Sequence, residues 1–195
     1  SGLSERTDVS HYRLALHLTL AFVIFVLLLW NYFKYKAYQD LNSYRKLPFN
    51  LPIFFICLIF LQIIIGAFVS GLDAGQVYQS WPLMNKSYFP DDSNLKDLFS
   101  LNFFNTPSLV QFIHRNLAYI IILIFIITAT IILKNKDFTY MRTTILLVFA
   151  SLSFQIVLGI LTVLSGAQII LASMHQIGSI YLVATSLILV FKNSR

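Results

Sequence analysis

Residues 107–133 read PSLVQFIHRNLAYIIILIFIITATIIL, an apolar run whose only His, Lys, Arg, Asp or Glu residues are His114 and Arg115, both near its start. A helix needs about 20 apolar residues, at about 1.5 Å of rise each, to cross the hydrocarbon core of a bilayer. The stretch therefore reads as a membrane span carrying a histidine a short way in from one end. Four more segments meet the same requirement, at about 12–33, 51–71, 142–164 and 168–191. None has Asp, Glu or Lys in its interior, and Arg13, like Arg115, sits in a first turn from which it can snorkel to the interface. Composition agrees, with 57% of the 195 residues hydrophobic, 11% charged and a mean hydropathy of +0.75, whereas a soluble domain is about a quarter charged. The expected fold is that of an all-α integral membrane protein with five transmembrane helices.

Basic residues gather in the short connections. Lys34, Lys36, Arg45 and Lys46 stand against Asp40 in the loop 34–50, Lys134, Lys136 and Arg142 stand against Asp137 near 134–142, and Lys192 and Arg195 close the chain. By the positive-inside rule these connections face the cytoplasm or matrix, which puts the N-terminus of this chain outside and its C-terminus inside. Glu5, Asp8, Asp73, Asp91, Asp92 and Asp97, with Arg6, Lys86 and Lys96, fall on the outer side. Topology thus accounts for the net charge of +6, and no basic face suited to nucleic acid is drawn by it. Cys57 is the one cysteine, so this chain alone builds neither a disulfide framework nor a Cys-ligated zinc or iron–sulfur site. A start at Ser1-Gly2-Leu3, without a basic region before an apolar stretch, reads as a fragment or a processed chain. The outer segment Leu72–Thr106 is too polar to span. It is expected to cap the bundle with Tyr78, Trp81, Tyr88 and Phe89 at the interface, a solvated loop being the competing reading.

The first, third and fifth spans run from outside to inside and carry His17, His114 and His175 near their outer ends, so the three share one leaflet. A histidine in hydrocarbon is costly unless it faces the bundle interior and meets a partner. Two imidazoles facing each other across a bundle core make a bis-histidine haem site. His114 and His175, on parallel helices of the unit formed by spans two to five, make such a pair, and the last four helices are expected to form a haem-binding four-helix bundle. Ala118 after His114, and Gly178 and Ser179 after His175, leave space beside each ring for a macrocycle edge. His17 is then half of another site. Hydrogen bonding across the bundle, or zinc held by three histidines without a carboxylate, would use the same residues. Arg115 and Arg13 either pair with haem propionates at the outer rim or act only as interface anchors. His11 reads as a solvated side chain.

The second span contains Gln62-Ile63-Ile64-Ile65-Gly66 and the fourth Gln155-Ile156-Val157-Leu158-Gly159, and the two then reach Ser70-Gly71 and Ser165-Gly166. The chain looks like repeated helix pairs with histidine on the second member, Ser1-Gly2 before His17 fitting the tail of an earlier pair. Gln155, Gly159, Thr162 and Gly166 share one helical face, as do Gln62, Gly66, Val69 and Asp73. Such a stripe admits a neighbouring helix or a flat cofactor. Gln155 and Gln111 join the two arginines as candidate contacts around the ligand.

Further motifs carry a resemblance. Gly71-Leu72-Asp73-Ala74-Gly75, Trp81-Pro82-Leu83-Met84, Asn102-Phe103-Phe104-Asn105-Thr106 and Val110-Gln111-Phe112-Ile113-His114-Arg115, with Val9-Ser10-His11-Tyr12-Arg13-Leu14-Ala15 before His17 and Met174-His175-Gln176-Ile177-Gly178-Ser179, stand in the order found in the second half of the haem A synthase family. The chain resembles that family over essentially its whole length. The resemblance implies eight membrane helices in two similar halves, each holding one haem between two histidines. Residues 1–33 would supply the outer segment and last helix of the first half, 34–50 the cytoplasmic or matrix loop, and 51–195 the second-half four-helix bundle with its outer loop 72–106. His114 and His175 would ligate the iron of a haem b cofactor, and His17 would serve the first-half site, where the substrate haem O sits.

The family oxidises a methyl group of haem O to the formyl group of haem A with water-derived oxygen, an oxidoreductase reaction on a CH or CH2 group in cytochrome oxidase biogenesis. A glutamate near the other first-half histidine is implicated in that chemistry. Neither residue is in this sequence, so the resemblance implies one bound haem, no complete catalytic set and no haem A synthesis by this chain alone. The single cysteine is similar to the cysteine-poor proteobacterial and mitochondrial members. Implied surroundings are a bacterial or mitochondrial inner membrane, a redox acceptor, haem O synthase or cytochrome oxidase assembly proteins, and a second copy of the chain in a homo-oligomer. An electron-carrying cytochrome b, or a haem carrier that hands its ligand on unchanged, would display the same histidine pair.

Overall fold

The structure, a computed structural model, describes residues 10–36 and 45–195. Expectations resting on Ser1-Gly2, Glu5, Arg6, Asp8, Val9 and Asp40 lie outside the described residues. Among the described residues five helices are long and apolar enough to cross a membrane: α1 His11–Lys36, α2 Leu51–Gly71, α3 Pro107–Lys134, α4 Arg142–Leu164 and α5 Ile169–Ser194. With its all-α fold, the chain is a multi-pass membrane protein. Pro107 opens α3 and Pro52 lies in the first turn of α2, where a missing backbone N–H is no loss. The α4–α5 turn is tight because Gly166 (φ 67) and Ala167 (φ 59) take left-handed backbone, which glycine adopts freely and alanine does not.

α2 packs on α3 and α5, α4 packs on α5, and a slimmer seam joins α3 to α4. These four helices close a ring, so α3 and α5 stand diagonally across it. α1 lies outside the ring against α2 and α5. Phe55, Ile59, Val110, Ile121, Ile145, Val148, Val183 and Leu189 fill the interior. Leu123, Ile126, Leu146, Phe149, Val157 and Tyr181 are exposed on the outside, as suits helices surrounded by lipid tails. Lipid provides no hydrophobic drive for helix association, so close packing and hydrogen bonds between helices hold such bundles. Ser151 and Thr185 form one such bond, 2.9 Å between their hydroxyls, from α4 to α5, worth about 0.6 kcal/mol on average for this class.

The bundle end where α5 finishes is knitted by the residues that set the charge asymmetry. Arg45 pairs with Asp137 at 2.5 Å, the Tyr140 hydroxyl donates to the Arg45 carbonyl at 2.9 Å, and Lys192 Nζ donates to the Tyr140 carbonyl at 2.8 Å. Buried Asn193 accepts the Leu47 amide at 2.7 Å. That bond explains why α5 runs on to Ser194, beyond the apolar segment read from the sequence.

Candidate functional site

The internal repeat is built into the packing. A Cβ added to Gly66 of α2 would stand 3.1 Å from Cε1 of His114 on α3, and one added to Gly159 of α4 would stand 3.1 Å from Cε1 of His175 on α5. Each imidazole thus rests on the backbone of the helix that precedes its own. The two imidazoles, both half-buried, lie on the diagonal helices of the ring.

The paired glutamines behave differently. Gln62 Nε2 donates to the His114 carbonyl at 3.0 Å and lies 3.2 Å from ring Nε2. Gln155 turns its amide onto Gly178, with Nε2 only 2.1 Å from where a Cβ on that glycine would be. Nδ1 of His114, Nδ1 of His175, Oε1 of Gln62 and Nε2 of Gln155 are all buried without a hydrogen-bond partner. Such a group costs about 1–3 kcal/mol and native structures hold few of them. Those on Gln62 and Gln155, one per matched helix pair, mark a place for a ligand. The residues present fit a haem, since two diagonal helices of one bundle each carry an imidazole seated in the same way on a glycine of the preceding helix.

Residues 72–106 form a cap rather than a solvated loop. Tyr78, expected at the interface, is buried at 3% exposure, and its hydroxyl donates to Asp91. Burial, then that bond, pushes the phenol up to about 12. Trp81 and Tyr88 are exposed, and the Tyr88 hydroxyl reaches Asn116 while Phe89 packs on Phe112 of α3. Arg115 Nη2 donates to the Tyr78 carbonyl at 3.0 Å, and its Nη1 to those of Ser80 at 2.9 Å and Leu83 at 3.3 Å. Gln111 Nε2 reaches the same Tyr78 carbonyl at 2.9 Å. Across the ring, Gly75 abuts Ala167 and Gln79 abuts Gly166 at the α4–α5 turn.

His17 and Arg13 are exposed on α1, away from the pair. His11 is not a solvated side chain. It is half-buried, with Nε2 3.0 Å from Asn105 Oδ1 and its ring beside Tyr12 and Phe68, because Gly71 lets the start of α1 come within contact of α2. Among the described residues no three His, Cys, Asp or Glu side chains come together, which leaves the three-histidine zinc reading without a donor cluster. The contact of Gln62 with His114 was signalled by the repeated Gln-x-x-x-Gly pattern. The anchoring role of Asn105 had no such signal.

Fold and site together define a polytopic helical membrane protein with two histidines on diagonal helices of its bundle and a cap over one end. Residues 1–187 match the COX15-CtaA family model, described as cytochrome oxidase assembly protein, and the chain belongs to that family. It is 43% identical over 198 residues to the heme A synthase of Pelagibacter ubique (strain HTCC1062), covering 100% of this chain and 56% of that protein. It is 39% identical to the heme A synthase of Wolbachia pipientis wMel over 96% of this chain and 52% of that one, and 40% identical to that of Ruegeria sp. (strain TM1040) over 87% and 46%. The chain spans about half the length of the curated relatives it matches.

Proposed function

We propose that this chain is the cofactor-holding portion of a haem A synthase, in which His114 and His175 ligate the iron of a haem b. The observation that carries the reading is the matched seating of the two imidazoles on Gly66 and Gly159, on diagonal helices of one bundle. Haem held there would supply one-electron chemistry. The chain's own residues ligate and orient: the glycines set ring position, Gln62 fixes His114 through its carbonyl and ring, and the cap excludes water. The activity assigned to the parent protein is oxidation of the haem O methyl group to the formyl group of haem A, an oxidoreductase reaction on a CH or CH2 group. His17 ligates the substrate haem in the other half. Residues 1–33 close that half, 34–50 form the inner loop and 51–195 the second bundle. The protein lies in a bacterial or mitochondrial inner membrane with the cap outside and the C-terminus inside.

The test is absorption and paramagnetic resonance spectroscopy of the purified parent protein carrying His114→Ala or His175→Ala. Each is expected to lose the low-spin bis-histidine signal, and an unchanged spectrum overturns the ligand assignment. Extracting haem after incubation with haem O tests the reaction. Recovery of haem O alone from the wild-type parent would point to a carrier or a plain electron-transfer cytochrome.

A further inference from the structure

We propose that Arg115 is the positioning residue of the site, latching the segment Tyr78–Leu83 across the outer mouth of the histidine pair by its main-chain carbonyls and so excluding aqueous reactants from what the histidines hold. Arg115 directly follows His114, so any movement of the latch is felt at the ligand. Its guanidinium presents donors in a fixed fork, and here the fork spans three carbonyls of one turn, those of Tyr78, Ser80 and Leu83. Ser80 keeps that turn closed, its hydroxyl donating to the Leu83 carbonyl at 2.9 Å and accepting the Asn85 amide at 2.7 Å. Gln111, one helical turn earlier, grips the Tyr78 carbonyl as well.

Gln79 within the segment and Gly75 just before it dock on the second helix pair, where Gly75 meets Ala167 and Gln79 meets Gly166. The segment therefore bridges the outer ends of both helix pairs that carry the histidines. None of the acceptors bonded to Arg115 belongs to a carboxylate. Its part is thus that of a clamp on the backbone rather than an ion-pair partner.

The inference rests on the haem reading for what the cap shields, and the experiment separates the two. The full-length holoprotein in nanodiscs is compared with Arg115→Ala, Arg115→Lys and Gly75→Val. The valine undocks the cap without touching Arg115, because a Cβ at Gly75 would stand 2.9 Å from the Ala167 Cβ. Three quantities are read: cleavage within 72–106 by added protease, the rate at which dithionite reduces the low-spin haem, and the haem midpoint potential. Arg115→Ala and Gly75→Val are expected to raise cleavage and reduction rate together, several-fold, and to shift the potential in the same direction. Arg115→Lys should fall between them and wild type, since an ammonium cannot span three carbonyls as a fork.

If Arg115→Ala shifts the potential while cleavage stays at the wild-type rate, or Gly75→Val opens the cap without speeding reduction, the latch is overturned and Arg115 acts on the bound group directly. Cleavage needs no haem, so it decides the latch even if the histidine variants disprove the ligand assignment. Should Arg115→Ala fail to fold, Arg115→Lys and Gly75→Val carry the same comparison, and wild-type behaviour in both overturns the proposal.

Discussion

A methyl group at Gly66 or Gly159 is crowded, since each would bring a Cβ to 3.1 Å from an imidazole carbon and the ring must give way by a few tenths of an ångström. Gly66→Ala and Gly159→Ala are therefore expected to displace His114 and His175 respectively. Overpacking of this kind costs about 1–3 kcal/mol, read as a lower melting temperature in detergent together with a weakened low-spin haem signal. Tyr78 carries a pH prediction. Its phenol is held protonated by burial and by donation to Asp91, up to about 12 from an ordinary 10.0. A raised pKa means that its contribution is complete below the unfolded value and is lost as pH climbs from about 10 toward 12. Ultraviolet titration should show one late tyrosine that disappears in Tyr78→Phe, and protease sensitivity of 72–106 should rise over that same alkaline window. At this scale the sequence exposed whatever repeats: the Gln-x-x-x-Gly pattern and the intramembrane histidines pointed to the contacts found. It could not reveal the partner of His11, because Asn105 lies 94 positions away and no local pattern links them.

Helices were the most legible elements, because length and hydropathy alone define a span and the bilayer forbids most alternatives. Their ends were less so. α5 outlasts its apolar segment because Asn193 finds the Leu47 amide, a contact between the last helix and a connection far upstream. Removing it with Asn193→Ala strands a buried donor, at about 1–3 kcal/mol, more than the bond between Ser151 and Thr185 contributes. Faster hydrogen exchange at Leu47 and a lower melting temperature are the expected outcomes. The cap was hardest to read. Its course follows hydrogen bonds to main-chain carbonyls, which every residue possesses, so composition suggested polarity but not structure.

Across the whole molecule, α1 stands apart. His17, Ala21, Ile24 and Leu28 are all exposed and fall three or four residues apart, a stripe on one side of the helix. The histidine that looked equivalent to the other two in sequence therefore faces away from the ring formed by α2 to α5. His17→Ala in the parent protein is expected to leave the low-spin signal of His114 and His175 unchanged, and resonance spectra of that variant check it. The position of each histidine near a helix end was readable from the chain, whereas the division of the three depended on which helices close into a ring. The cap brings a different consequence. Arg115 recognises oxygens of the peptide chain, not side chains, so its hold depends on the course of the turn rather than on which side chains the acceptors carry. A lineage that lost the arginine would have to rebuild the outer segment rather than replace one letter.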